Sequence, residues 1–352
     1  MTQHTIQVLR ETKLALYIWG AGEVAETITE ALKRENISID GYVVDSPYIK
    51  ENEISKENLL ASGVEYNLVR GFLSAFFMTD EEVKENWPGC KNVITIADSY
   101  EPLMVERMPE IYYKQNKSAF NKVRTCFKDN LSKESFDEFI DAKITGINTR
   151  IIPLVEKAQY FFENAPWKYE KTDVLIDGGA YDGDSILNFI KLRGADYTQI
   201  IACEPDKTNY KSLLRNIQDN HIENIQTINK GLYREPTILK FASSGTRMSS
   251  IDGLGEEEIV VDTIDNIAGE WDVSIIKMDI EGSEIDALNG AIDTIQRCRP
   301  ILMISAYHKK DDILKIFDFV NKNAEGYEFF FRCHKPIAID AVLYAVPKER
   351  VK

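Results

Sequence analysis

Val174-Leu-Ile-Asp-Gly-Gly-Ala-Tyr-Asp-Gly-Asp-Ser185 joins a short apolar run to a carboxylate and a group of glycines. The apolar run predicts a buried strand that ends at Asp177. The glycines that follow, Gly178, Gly179 and Gly183, allow a tight turn and the close approach of a ligand to the backbone. Apolar residues within 186–190 then recur at helical spacing. A strand, a glycine-rich turn and a helix open the nucleotide-binding half of a doubly wound α/β fold.

Gln199-Ile-Ile-Ala-Cys-Glu204 predicts the next buried strand, and that strand also ends in a carboxylate. In a doubly wound fold, an acid at the end of the second strand accepts hydrogen bonds from the ribose hydroxyls of an adenosine. Asp206 then predicts the N-cap of the following helix. We interpret Glu204 as a ribose ligand; the alternative is a solvated carboxylate at a strand end. The predicted cofactor-binding residues of the two segments are Asp177, Gly178, Gly179, Gly183, Glu204 and Pro205.

Three segments together resemble the FkbM-type S-adenosylmethionine-dependent methyltransferases. They are Asp177-Gly-Gly-Ala-Tyr-Asp-Gly-Asp184, Ala202-Cys-Glu-Pro-Asp206 and Ile276-Lys-Met-Asp-Ile-Glu-Gly-Ser-Glu284. The resemblance extends over about residues 171–346, and the third segment is its most specific part. It implies methyl transfer from S-adenosylmethionine to oxygen, usually a hydroxyl of a sugar or a secondary metabolite. It also implies that the polar loop 245–250 lies near the cofactor or the acceptor, and we therefore add Ser250 to the predicted cofactor-binding residues.

A methyl acceptor that is a hydroxyl needs a general base, because its proton must leave as the new bond forms. In this fold the base is expected at the carboxyl ends of the fourth and fifth strands, beside the cofactor crevice. Asp279 ends the fourth strand, Glu281 follows in the turn, and His308 comes just after the fifth strand. We predict that these three residues are catalytic. The alternatives are a first-turn acid favoured by the helix dipole for Glu281 and an ordinary loop residue for His308.

The same acids raise the question of a metal ion. Asp279, Glu281 and Glu284 offer oxygen ligands of the kind that Mg²⁺ prefers. Nothing in the sequence arranges them octahedrally, so we predict no metal ligands and do not favour Mg²⁺ as a cofactor.

The N-terminal part has a glycine turn of its own. Leu14-Ala-Leu-Tyr-Ile-Trp19 predicts a strand, Gly20-Ala-Gly-Glu-Val-Ala25 follows it, and residues 41–45 predict a second strand ending in an acid. Further strands are predicted within 67–70 and 92–97, which would complete a small parallel sheet. Nucleotide-binding folds use this order of turn and acid. The alternative, which we favour slightly, is a Rossmann-like domain that keeps the turn for helix packing and binds nothing.

Three parts are predicted along the chain. Residues 1–100 form a Rossmann-like domain, 101–170 a helical connector, and 171–352 the methyltransferase domain. In the connector, Ser135 and Glu138 form a Ser-x-x-Glu pattern that predicts a helix N-terminus. The aromatic residues that end the connector are predicted to pack in a core: Tyr160, Phe161, Phe162 and Trp167.

Strands and helices alternate in the C-terminal part. Segments 226–230, 273–278 and 301–306 predict the third, fourth and fifth strands. Two antiparallel pairs are predicted as well: 237–243 with 258–262, and 327–332 with 341–346. We therefore expect an α/β protein with a doubly wound C-terminal sheet that is parallel except for its terminal antiparallel pair.

Composition limits the partners. The chain has 352 residues and a net charge of −15, which is the wrong sign for a protein that binds the phosphate backbone of nucleic acid. Its 5 cysteines are scattered and suit a reducing compartment. The first residues lack a signal-peptide core, and no apolar run is long enough to span a membrane. We expect a cytoplasmic protein with a small-molecule or glycan acceptor, and a homo-oligomer is compatible with the sequence.

Two other functional classes stay open at this point. One is a nucleotide-sugar or NAD-binding protein with its active site in the N-terminal domain. The other is a non-catalytic binding module in glycan assembly.

Overall fold

The structure is a computed structural model that describes residues 3–44, 49–71, 78–96, 106, 108–145, 150–241, 257–335 and 338–352. The chain divides into two compact units. The first comprises Met1–Gln115, Asp137–Val155 and Lys335–Ile339, and the second comprises Asn116–Phe136, Glu156–His334 and Asp340–Lys352. Both units are discontinuous in sequence. The division of the chain at about residues 100 and 170 stays a prediction.

The first unit contains a five-stranded sheet in the order β3-β2-β1-β4-β5, and every neighbouring pair is parallel. The strands are β1 (Ala15–Trp19), β2 (Gly41–Val44), β3 (Glu53–Ser55), β4 (Tyr66–Gly71) and β5 (Cys90–Ile96). The helices are α1 (Gln3–Glu11), α2 (Glu23–Arg34), α3 (Lys56–Ala61), α4 (Asp80–Asn86) and α5 (Glu110–Gln115). The sheet confirms the small parallel sheet predicted for the N-terminal part.

The second unit contains a seven-stranded sheet in the order β14-β15-β13-β12-β6-β7-β8. Its strands are β6 (Val174–Gly178), β7 (Gln199–Cys203), β8 (Ile225–Ile228), β12 (Ile275–Met278), β13 (Ile301–Ser305), β14 (Tyr327–Cys333) and β15 (Ala341–Pro347). Five neighbouring strands of this sheet are mutually parallel, namely β13, β12, β6, β7 and β8, whereas β15 is antiparallel to both β13 and β14. The predicted fold class is confirmed, including the antiparallel terminal pair.

A small three-stranded sheet also belongs to the second unit. It consists of β9 (Gly231–Leu232), β10 (Thr237–Phe241) and β11 (Glu257–Asp262), in the order β10-β11-β9. The pair β10 and β11 is antiparallel, with Ile238 opposite Val260, which confirms the predicted hairpin.

Helix α6 (Lys117–Cys126) of the second unit precedes β6 in the chain, and further helices of that unit lie between β6 and β14. They are α8 (Asp184–Arg193), α9 (Lys207–Asp219), α10 (Ile264–Ala268), α11 (Glu284–Asn289), α12 (Ile292–Cys298) and α13 (Asp312–Asn323). Helix α9 begins where predicted, because the Asp206 carboxylate accepts hydrogen bonds from the backbone N–H groups of Thr208 and Asn209. Among the described residues, no helix is both long and apolar enough to cross a membrane.

Helix α7 (Asn130–Thr145) has residues in both units and corrects one prediction. The Ser-x-x-Glu pattern at Ser135 does not start a helix, because Ser135 lies inside α7. The first turn is instead held by Asp129, whose carboxylate accepts a hydrogen bond of 2.7 Å from the N–H of Ser132. An acid placed before the first turn satisfies a backbone donor that has no partner within the helix.

The main core of the second unit is rich in aromatic side chains. Phe161, Phe162 and Trp167 are buried there, as predicted, and the Trp167 ring stacks on that of Tyr344 with centroids 4.8 Å apart. Tyr160 is buried in the same core, but its hydroxyl also reaches the site described next.

Candidate active site

The turn after β6 lies close to the segment after β12. Gly179 has φ +68, and a Cβ added there would overlap the carbonyl oxygen of Asp279. The N–H groups of Gly179 and Ala180 both donate to the Cys203 carbonyl at the end of β7, each over 3.0 Å. Both the conformation and the close approach require glycine at position 179. The turn is thereby held against the ends of two neighbouring strands.

A buried ion pair supports this turn from below. The Lys277 Nζ lies 2.9 Å from Oδ1 of Asp177, and both side chains are almost completely inaccessible to solvent. Lys277 also donates to the carbonyl oxygens of Gly178 and Gly179, over 3.2 and 2.8 Å, and the Ser185 hydroxyl donates to Asp177. Burial raises the pKa of Asp177, against the opposing effect of Lys277. For Lys277 burial acts the other way, but the Asp177 and Asp279 carboxylates outweigh it and raise its pKa.

Glu204 follows β7 and faces the same edge of the sheet as the glycine turn. Its two carboxylate oxygens accept hydrogen bonds of 2.9 Å from the backbone N–H groups of Tyr181 and Asp206. Burial raises its pKa to about 7, although those two hydrogen bonds lower it. Each oxygen is a double acceptor, so the carboxylate retains the capacity to accept from a ligand hydroxyl.

A cleft that is open to solvent connects Glu204 with Asp279. Both residues line it, together with Gly179 and Pro205. Its charged lining is acidic. Among the residues that the structure describes, the lining contains one cation, Lys277, and five acids: Asp184, Glu204, Asp279, Glu281 and Asp340. Such a lining favours a positively charged ligand over a neutral or negative one.

Asp279 stands at the other end of the cleft, directly after β12. Its Oδ2 accepts a hydrogen bond of 2.9 Å from the Tyr160 hydroxyl, and its Oδ1 accepts one of 3.3 Å from the Tyr307 hydroxyl. Burial and the charge of Asp279 raise the pKa of both tyrosines well above the usual value, which keeps them protonated as donors. The Asp279 side chain is 21% exposed, so it is open to a molecule in the cleft.

His308 lies beneath this end of the cleft, between acidic side chains. Its Nε2 is 3.1 Å from Glu281 and 3.5 Å from Asp279, and its Nδ1 is 3.3 Å from Glu284. Burial alone would lower the pKa of His308, but Glu284 and Glu281 raise it well above the usual value. An imidazolium has no lone pair with which to accept a proton. A protonated ring would pair with these acids and could not accept a proton, and the catalytic role predicted for His308 stays a prediction.

The three predicted catalytic residues therefore lie together at one end of the cleft, where Asp279, Glu281 and His308 approach one another. Of the predicted cofactor-binding residues, Gly179, Glu204 and Pro205 line the cleft. Asp177 is fully buried beneath the turn and acts through Lys277 and Ser185. Gly178 and Gly183 belong to the turn itself, at the end of β6 and before α8. Ser250 lies outside the described residues.

Lys277, Tyr307 and Tyr160 are among the residues of the site that were not predicted from the sequence. Lys277 falls within the Lys-x-Asp-x-Glu segment, and that pattern is the signal that could have identified it. Tyr307 precedes His308, but nothing in its spacing indicates that it donates to Asp279. Tyr160 was predicted only to pack in the core.

The glycine turn of the first unit follows β1, as predicted. Gly20 has φ +93, and its N–H donates to the Val43 carbonyl at the end of β2 over 2.8 Å. Gly22 has φ −90 and directly precedes α2. A Cβ added at Gly22 would meet no described atom within 4 Å. The acid predicted at the end of the second strand, Asp45, lies outside the described residues.

Comparison with known proteins agrees with this fold. Residues 177–329 match the family model described as "Methyltransferase FkbM domain". The chain is similar in structure to a methyltransferase FkbM from Methylobacillus flagellatus KT, with 20% identity, a TM-score of 0.72, and coverage of 98% of this chain and 94% of that one. No curated protein is detectably similar to this chain in sequence.

Two weaker structural likenesses extend over half of this chain. One is to a protein from Streptococcus mutans solved in complex with SAH, at 10% identity and a TM-score of 0.31, covering 50% of this chain and 89% of that one. The other is to a SAM-dependent methyltransferase from Aquifex aeolicus, at 10% identity and a TM-score of 0.31, covering 50% and 82%.

Proposed function

Because this chain is an S-adenosylmethionine-dependent methyltransferase with an FkbM domain at residues 177–329, we propose that it methylates a hydroxyl oxygen. The acceptor class that we propose is a sugar, a glycan or a secondary metabolite. The observation that carries the proposal is the cleft, which has the Glu204 carboxylate at one end and the Asp279 carboxylate at the other. Strand β6 lies between the strands that precede these acids, so cofactor and acceptor would meet above the glycine turn.

The cofactor end of the cleft is assigned to the adenosine and the sulfonium. Glu204 would accept hydrogen bonds from the two ribose hydroxyls, and the left-handed turn at Gly179 would let the cofactor approach the backbone. The acidic lining favours the positively charged donor, S-adenosylmethionine, over its neutral product. Lys277 and Asp177 take part by keeping the turn in place from below.

The acceptor end of the cleft is assigned to proton removal. In the transfer, an acceptor oxygen forms a bond to the methyl carbon while the carbon–sulfur bond breaks, and S-adenosylhomocysteine leaves. The acceptor proton would pass to Asp279, which is open to the cleft. The hydroxyls of Tyr160 and Tyr307 hold that carboxylate in position. An acid held by two neutral donors is oriented towards the acceptor before the reaction begins.

A transfer experiment tests this proposal. The full chain is incubated with methyl-labelled S-adenosylmethionine and a panel of acceptors that contains sugars, nucleotide sugars, polyols, phenols, amines and carboxylates. We expect the label in an ether that survives mild alkaline hydrolysis and in no amine or ester. Label found only in amines or esters would overturn the proposal of a hydroxyl acceptor.

One observation favours a second candidate function in the first unit, the binding of a nucleotide sugar or NAD. Gly20 turns the chain at φ +93 after β1, and a Cβ at Gly22, directly before α2, would meet no described atom within 4 Å, so the backbone at the start of this helix is open to a ligand. Calorimetry of the full chain with S-adenosylmethionine, NAD and a nucleotide sugar separates the two functions. Under the methyltransferase proposal alone, NAD gives no saturable heat, and a nucleotide sugar gives one only if it is also methylated in the transfer experiment.

A further inference from the structure

A group of metal-ligating side chains lies directly beneath the acceptor end of the cleft. Asp279, Glu284 and His308 each offer one ligand atom, and these three atoms all lie within 4.8 Å of one another. Asp279 is the member that lines the cleft, whereas Glu284 and His308 are each only 1% exposed. We call these three residues the Asp-Glu-His cluster.

Three buried atoms of this cluster, the two ring nitrogens of His308 and Oε2 of Glu284, have no hydrogen-bond partner within the part of the chain that the structure describes. Among the described residues, neither ring nitrogen of His308 has a partner of hydrogen-bond geometry, and each faces carboxylate oxygens only at ion-pair distances of 3.1–3.5 Å. The Oε2 of Glu284 likewise has no hydrogen-bond partner in the described ranges, whereas its Oε1 accepts from the N–H groups of Ile280 and Gly282. Buried polar atoms without partners are rare in folded proteins and indicate an interaction with something further.

We propose that the Asp-Glu-His cluster binds a first-row transition-metal dication, with Mn²⁺ as the representative ion. An imidazole nitrogen together with two carboxylates suits Mn²⁺, Fe²⁺ or Co²⁺, whereas Mg²⁺ and Ca²⁺ prefer oxygen ligands alone. The two carboxylates balance the charge of the ion when the imidazole is neutral. The ion and the proton therefore compete for the same ring nitrogen.

The position of the cluster relates it to the proposed hydroxyl methylation, and the suggested role of the metal rests on that proposal. A dication held by Asp279 would act as a Lewis acid towards an acceptor oxygen in the cleft. The existence of the metal site itself depends only on the three residues of the cluster.

Titration of the metal-free full chain with Mn²⁺, followed by the loss of the free-ion electron paramagnetic resonance signal, tests the site. We expect saturation at one ion per chain, and weaker binding by Glu284→Gln and Asp279→Asn, each by at least about tenfold. The matched control is Asp286→Asn, on the same helix as Glu284, whose carboxylate faces Arg234 at 3.5 Å. This control should bind Mn²⁺ as the wild type does.

Saturable binding that is lost in both cluster variants but kept in Asp286→Asn would establish the site. No saturable binding by the wild type, equal affinity in the three variants, or binding of Mg²⁺ in preference to Mn²⁺ would overturn it. Circular dichroism and S-adenosylmethionine binding report on the fold of each variant. If Glu284→Gln does not fold, the cleft-facing Asp279→Asn decides. Mn²⁺ binding without hydroxyl methylation would contradict only the proposed function, and hydroxyl methylation without Mn²⁺ binding only this site.

Discussion

The hydroxyl of Tyr160 donates a hydrogen bond of 2.9 Å to Oδ2 of Asp279, although 119 positions separate the two residues in the chain. Tyr160 has φ +61, a left-handed conformation that costs a bulky residue about 1–3 kcal/mol. Its hydroxyl also shares a 2.9 Å hydrogen bond with the side chain of Ser305. Such strain persists only where the surrounding structure imposes it. Here it places the hydroxyl on the carboxylate that we propose as the base.

Tyr160→Phe should lower the turnover number by about tenfold or more, because a hydrogen bond to a charged group contributes about 1.5–3 kcal/mol. The affinity for S-adenosylmethionine should stay nearly constant, since this hydroxyl contacts Asp279 and Ser305. Tyr307→Phe is the matched control: its hydrogen bond to Asp279 is longer, at 3.3 Å, and its loss should have a smaller effect. Steady-state kinetics and calorimetry measure the two quantities. A purely structural Tyr160 would give a destabilised variant with unchanged turnover.

Gly179→Ala should abolish cofactor binding and destabilise the protein more than the conformational cost alone. That cost is about 1–2 kcal/mol for a positive φ, and the added Cβ would also overlap the Asp279 carbonyl. Gly63→Ala separates the two effects, because Gly63 has φ +66 but no described atom within 4 Å of an added Cβ. Chemical denaturation of both variants checks the comparison. Equal destabilisation of the two variants would mean that the turn at Gly179 shifts to accommodate the added Cβ without further cost.

Glu204→Ala should weaken the binding of S-adenosylhomocysteine at least about tenfold, given about 1.4 kcal/mol per decade of affinity. Wild-type affinity should also depend on pH, because burial raises the pKa of Glu204 to about 7. Above that pH the free protein presents a carboxylate to the ribose hydroxyls, and below it the group is protonated. Affinity should therefore fall as the pH decreases from 8 to 6. A Glu204→Gln variant with the same pH dependence would place its origin in another group.

The same carboxylate should make the protein less stable at alkaline pH. The pKa of Glu204 is raised from 4.5 to about 7, so the folded state binds more protons than the unfolded state between these values. Stability is therefore lost as the pH rises through this range, by up to about 3 kcal/mol. Glu204→Gln should unfold at a higher denaturant concentration than the wild type at pH 8, and the difference should vanish at pH 4. An unchanged denaturation midpoint at pH 8 would contradict the expectation that burying the charged Glu204 carboxylate lowers the stability of the fold.

The acids of the site could be found from the sequence because they end predicted parallel strands. The carboxyl ends of such strands meet at one edge of a sheet, so Glu204 and Asp279 were expected near one another before any distance was known. Tyr160 could not be found in this way. Its segment precedes β6, carries no strand or helix pattern of its own, and has the same composition as the packing residues beside it. Only the tertiary structure shows that the hydroxyl of this tyrosine contacts Asp279 while its ring packs in the core.

The acidic surroundings of His308 were equally impossible to predict from the sequence. A histidine after a strand near the site predicts a base, since its ordinary pKa is near neutral. The structure surrounds the ring with Glu281 and Glu284, and their charges raise its pKa well above that value. Helix α7 shows that a local pattern can also mispredict a helix start. The hydrogen bond at its first turn is accepted by Asp129 and not by the Ser-x-x-Glu pattern. Local patterns identify a residue type, but the charges around it depend on distant parts of the chain.

Asp279→Asn should lower turnover by about 10²–10⁴ while cofactor affinity stays nearly constant, as for other general bases. The change removes the charge and keeps the shape. The amide oxygen can still accept a hydrogen bond from one of the two tyrosines, Tyr160 or Tyr307, whereas the NH2 group would donate to the hydroxyl of the other. Glu281→Gln is the comparison, because that carboxylate lies against His308 at 3.1 Å and should contribute less to turnover. Both variants are measured with and without EDTA, since a metal-assisted reaction would be abolished by the chelator in the wild type and restored by added Mn²⁺. Full turnover of Asp279→Asn in metal-free buffer would mean that Asp279 is not the base and that the cleft catalyses the transfer by aligning donor and acceptor.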